Sequence, residues 1–124
     1  MNEVKDNIIV SKSYAFALEI IVIYKQLISD KREFVLSKQV LRSGTSIGAN
    51  IHEAVASESK KDFIHTLAIS VKEARETSYW LSLLKDSDYI TEEEFERINK
   101  LCDEIIRILN SIIFTTKERY SINS

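Results

Sequence analysis

Gln39-Val-Leu-Arg-Ser-Gly-Thr-Ser-Ile-Gly-Ala-Asn-Ile-His-Glu53 repeats apolar and small residues at intervals of three and four, and Val40, Gly44, Ile47, Ile51 and Ala54 share one seam. That period is helical. Gly44 and Gly48 each cost roughly 1 kcal/mol against Ala inside a helix, so the sequence predicts that a second helix comes too close for side chains there. Residues four apart share a face, which makes the two glycines a flat strip. Ser46 and Asn50 run beside it as a polar row, continued by Arg42 and Glu53 beyond either end.

The same period extends to both sides of this stretch. A helix over residues 5–29 carries Tyr14, Ala17, Ile21, Tyr24 and Ile28 as its expected core stripe. Leu18, Ile20, Val22 and Leu27 widen its apolar surface beyond one face, which predicts contact with more than one neighbour or with another subunit. Asp30-Lys-Arg-Glu33 has capping-box spacing, so helix 2 is expected over 32–57. Ser59-Lys-Lys-Asp62 repeats the spacing ahead of helix 3, 60–85, with Ile64, Leu67, Val71, Ala74, Ser78 and Leu81 inward. Because Ala54-Val-Ala-Ser-Glu-Ser59 is itself good helix material, one kinked helix is the alternative to two. Thr91-Glu-Glu-Glu94 is a full capping box with acids where the helix dipole favours them. It opens helix 4, 91–115, whose seam is Phe95, Ile98, Cys102, Ile105, Leu109 and Ile112, ahead of a polar tail expected to fray. Four helices on short connections predict an all-α, antiparallel up-down-up-down four-helix bundle, a single domain over residues 1–124.

Composition excludes several classes. With no proline and two glycines, the chain lacks the punctuation a β-sandwich or barrel needs. The longest apolar run, Ala15 to Tyr24, is interrupted by Glu19 and falls short of the about 20 residues that span a bilayer. One cysteine and no secretion-type leader point to a cytoplasmic protein.

Searches for chemistry fail one by one. His52-Glu53 starts like a zinc-protease helix, but Ala56 stands where the second histidine belongs, and His65 lies on another helix. Asp86-Ser-Asp88 begins like a calcium loop, yet Ile90 takes the next ligand position and the turn glycine is missing. Ser57-Glu-Ser-Lys60 and Ser82-Leu-Leu-Lys85 match a serine–lysine spacing without its companion motifs. Cys102 sits on an apolar seam, as an inert buried thiol does. No enzyme activity, cofactor or metal is expected.

Two sets of polar residues are candidates for function. Gln39, Arg42, Ser46, Asn50 and Glu53, with Glu73 and Glu76 from helix 3, form a polar motif. Its structural reading has Ser46 and Asn50 bonding across helices and Arg42 paired to Glu73 or Glu76. In its functional reading, Gln39, Arg42 and Asn50 touch a ligand or nucleic acid, or Arg42, Asn50, Glu53 and Glu73 line a small-molecule or catalytic site in the bundle. The second set is basic. Lys31, Arg32, Lys38 and Arg42 stand against one acid, Glu33, with Lys60, Lys61, Lys72 and Arg75 to follow, although the net charge is −2. Repetition in an oligomer would concentrate such a weak patch on RNA or DNA; a solvated face is the alternative.

Phe34, Leu36, Gln39, Arg42-Ser43, Ser46-Ile47, Asn50-Ile51 and Glu53, then Asp62-Phe63, Lys72-Glu73, Glu76 and Tyr79-Trp80-Leu81, resemble the small four-helix proteins related to those encoded within intervening sequences of bacterial 23S ribosomal RNA genes. The resemblance covers nearly the whole chain. It implies an antiparallel bundle that assembles as a homo-oligomeric ring, typically a pentamer. It also implies similarity to the accessory proteins of diversity-generating retroelements, which bind nucleic acid and a reverse transcriptase. A non-enzymatic scaffold or accessory factor for RNA, DNA or a nucleic-acid enzyme is the function expected on this basis. The chain departs from many relatives in lacking a proline before helix 2 and in having Ala54 after Glu53.

Overall fold

Helix α1 spans Glu3–Ser29, α2 Leu36–Val55, α3 Lys60–Asp86 and α4 Glu92–Tyr120 in the computed structural model, which describes the backbone of residues 3–120 and the side chains of residues 8–120. Partner numbers fall on one helix as they rise on the next. Gly44 and Gly48 of α2 meet Ile20 and Ser13 of α1, and Ser43 and Ile47 bond Thr77 and Ser70 of α3. Ala74 and Ser78 of α3 bond Cys102 and Asn99 of α4. Glu19 and Lys12 of α1 pair with Arg97 and Glu104, and Lys12 holds the Glu104 carboxyl below its ordinary range. Every adjacent pair is therefore antiparallel, and backbone contacts run around the ring α1–α2–α3–α4 without crossing the diagonals. This is an all-α, up-down-up-down four-helix bundle.

Local chemistry sets the helix ends. Ser59 Oγ accepts from the Asp62 N–H at 3.0 Å, and residues 56–59 break the chain into two helices instead of one kinked one. At α4 the box is reciprocal: Glu94 N–H donates to Thr91 Oγ1 at 3.0 Å and Thr91 N–H to Glu94 Oε1 at 3.1 Å. Helix α2 differs from expectation and begins at Leu36. Glu33 does cap it, but from outside: its carboxylate accepts from the N–H groups of Val35, Leu36 and Ser37 at 3.1, 3.1 and 2.6 Å. Arg32, at φ 53°, makes the turn that aims Glu33 there. The last helix also runs longer than expected, to Tyr120, because Thr116 is buried and its hydroxyl returns to the Ile112 carbonyl. The rest of the expected tail, 121–124, lies outside the described residues.

The core contains the expected seams of α2 and α4, although Phe95 is only half-buried. On α3, Thr77 takes the buried place expected of Ser78, whose hydroxyl donates to Asn99 Oδ1 at 2.6 Å. On α1 the face is different. Ile9, Phe16, Ile20, Ile23 and Leu27 are buried, whereas Ala17, Ile21, Tyr24 and Ile28 are half-buried and Tyr14 is 69% exposed. Apolar residues spread well beyond one face of α1, so periodicity alone does not fix which of them turn inward; the glycine strip of α2 selects the face by accepting Ile20 and Ser13.

Candidate functional site

The polar motif of α2 closes on itself. Arg42 donates to Glu73 at 3.2 Å and to Glu76, while Gln39 Oε1 lies 3.4 Å from Arg42 Nε. Trp80 Nε1 donates to the same Glu76 oxygen at 3.2 Å. Ser46 and Asn50 bond carbonyls of their own helix, those of Arg42 and Ser46, instead of reaching across. The cross-helix bonds come from residues not singled out in the sequence: Ser70 Oγ donates to the Ile47 carbonyl at 2.8 Å and Thr77 Oγ1 to Ser43 Oγ at 2.9 Å. Their signal was present, since both are polar residues at core-facing positions of α3. Arg42, Asn50, Glu53 and Glu73 do not converge: Arg42 and Glu73 bond at the α3 side of α2, Asn50 turns back on its helix, and Glu53 is exposed beside α1.

The eight basic candidates occupy separate regions. Lys31 and Arg32 lie in the 30–35 connection, with Arg32 5.8 Å from the centre of the Phe34 ring. Lys60 and Lys61 lie at the other end of the 20-residue helix α2, roughly 30 Å away, and the Lys60 ammonium sits 5.2 Å from the Tyr120 ring. Lys38, Lys72 and Arg75 are exposed and carry no ion pair among the described residues.

The surface between α1 and α2 is largely apolar. A groove of about 630 Å³ is lined by Val10, Tyr14, Ala17, Leu18, Ile21 and Ala49, with His52 and Glu53 at one end. Leu18 is 50% and Val22 54% exposed, continuing the Tyr14 ridge along α1. Contiguous exposed apolar surface of this kind marks an interaction site more often than chance exposure does. Nucleophilic chemistry is remote from it: Cys102 is buried, burial first and the Asp103 charge second push its thiol to about 12, and its S–H donates to the Ala74 carbonyl. No three His, Cys, Asp or Glu side chains cluster to hold a metal, and no helix is long and apolar enough to cross a membrane, among the described residues.

Fold and surface together define a four-helix-bundle protein with an exposed apolar groove between α1 and α2. Residues 5–111 match the family model of the 23S rRNA-intervening sequence protein, and the chain belongs to that family. It is similar to a protein with unknown function from the S23 ribosomal protein family of Bacteroides thetaiotaomicron VPI-5482, whose crystal structure was determined at 1.70 Å. The two are 54% identical with a TM-score of 0.87, over 88% of this chain and 97% of that one. No curated protein matches the chain.

Proposed function

We propose that this chain is a non-enzymatic cytoplasmic homo-oligomer, a pentamer, that serves as a scaffold or accessory factor for RNA, DNA or a nucleic-acid enzyme. The observation that carries the oligomer is the apolar ridge of α1, Tyr14, Leu18 and Val22, which the bundle leaves in water although α1 already fills the core from its other face. Burial recovers about 25 cal/mol per Å² of such surface, and a second copy supplies it. The number five follows from the resemblance to ring-forming relatives. Light scattering of the purified protein at micromolar concentration tests it. The expected mass is near five times 14.3 kDa, and a 14.3 kDa particle overturns the oligomer.

The nucleic-acid part is supported by Lys38, Lys72 and Arg75, which are exposed, carry no ion pair among the described residues and would be multiplied by repetition around a ring. Lys31, Arg32, Lys60 and Lys61 are second candidates, and Arg42 is last because two carboxylates occupy it. Filter binding with 23S ribosomal RNA fragments is expected to show retention that falls steeply with salt, as phosphate contacts require. No retention at low salt overturns this partner.

A further inference from the structure

We infer that the cleft between α3 and α4 binds a small amphiphilic monocarboxylate, of the medium-chain fatty acid class. Its carboxylate lies between Lys61 and Lys117 and its chain on Ile64, Ala68 and Ile113. All these residues come from one chain, so the inference does not rest on the oligomer proposed above.

The shape comes from one small residue. Along the exposed ridge of α3, Lys61, His65, Lys72, Arg75 and Tyr79 carry long side chains, whereas Ala68 offers a methyl group. The space it leaves opens onto buried Ile64 and half-buried Ile113 and forms a cleft of about 330 Å³. Small-molecule sites start at about 300 Å³ and combine an apolar lining with a few placed polar groups. Lys61 precedes Ile64 by three residues and Lys117 follows Ile113 by four. On antiparallel helices both ammonium groups therefore stand at the same end of the cleft, which gives it a charged mouth and an apolar run.

Charge selects the ligand. The polar lining is Lys61, Asp62, His65 and Lys117, and none of the four makes an ion pair among the described residues. Two cations against one anion leave a single positive charge in excess, in a chain whose net charge is −2. A monoanion fits that excess; a dianion such as phosphate carries one charge too many beside Asp62. Lys117 is half-buried, as a lysine is when its stem covers apolar surface and its ammonium stays at the rim. A carboxylate can accept charge-assisted bonds from both lysines and keep a lone pair for an N–H of His65. Lys60 takes no part, since its ammonium sits 5.2 Å from the Tyr120 ring.

The test titrates the full chain with octanoate by calorimetry and maps the site by lysine acylation read by mass spectrometry. One octanoate is expected per chain, protecting Lys61 and Lys117 while Lys38 and Lys72 react as before. Lys61→Gln and Lys117→Gln should each weaken binding about threefold, as loss of one exposed charge pair does. Ala68→Leu fills the cleft at an exposed position and should abolish binding with helicity unchanged by circular dichroism. Should that variant unfold, the double Lys61→Gln, Lys117→Gln variant carries the test and should bind about tenfold more weakly. The inference is overturned if millimolar octanoate protects neither lysine or protects all lysines alike. It is equally overturned if octanol or inorganic phosphate binds as well as octanoate, or if a folded Ala68→Leu binds like the wild type.

Discussion

At Gly44 a Cβ would stand 2.9 Å from both Cγ1 and Cγ2 of Ile20, a fully buried side chain with no room to retreat. At Gly48 the nearest atoms are Ser13 Oγ at 3.3 Å and the Ser13 carbonyl oxygen at 3.4 Å. The close approach foreseen from the sequence is thus a side chain at Gly44 and both the hydroxyl and the main chain of Ser13 at Gly48. Gly44→Ala gains about 1 kcal/mol of helix propensity but overpacks the core by about 1–3 kcal/mol. It is expected to lower the denaturant midpoint, with Gly48→Ala closer to neutral in the same urea titration. Cys102 gives a pH prediction. Because burial lifts its thiol from the ordinary 9.0 to about 12, the unfolded chain releases this proton first, and its contribution to stability declines as pH rises from 9 toward 12. At pH 8 an alkylating reagent should label it only after denaturant is added; labelling of the native protein at the unfolded rate would contradict the burial.

Between elements, the α2–α3 contact is held by hydroxyls where α1–α2 is held by close packing. Thr77→Val keeps the shape but removes both the bond to Ser43 Oγ and the return bond to the Glu73 carbonyl, and is expected to cost about 1 kcal/mol in equilibrium unfolding. The seams of α2 and α4 were legible in the sequence because each has one apolar face and one charged face. The orientation of α1 was not, since a run such as Ile20-Ile-Val-Ile23 offers the core an apolar residue at any rotation. The start of α2 escaped for a related reason: Glu33 is a cap by chemistry, but only the left-handed turn at Arg32 shows that it caps from outside the helix.

For the whole molecule, the proposed assembly couples folding to concentration. Binding of folded copies to one another stabilises the native state by mass action, so the thermal midpoint should rise with protein concentration. A Leu18→Glu monomer should show no such rise, and a wild-type midpoint independent of concentration would argue against association. Helix number, type and neighbour order were written into the chain by periodicity, capping residues and short connections, all of which act within a few residues of one another. Tertiary structure alone decided which face of α1 enters the core and left Tyr14, Leu18 and Val22 in water. It also chose, between the two readings of the polar motif, the one in which Arg42 is held by Glu73 and Glu76, and it spread the basic residues from the 30–35 connection through mid-α3 to the start of α3. Those outcomes depend on the steric fit of Ile20 and Ser13 against two glycines and on distances between separate helices, which local pattern does not encode.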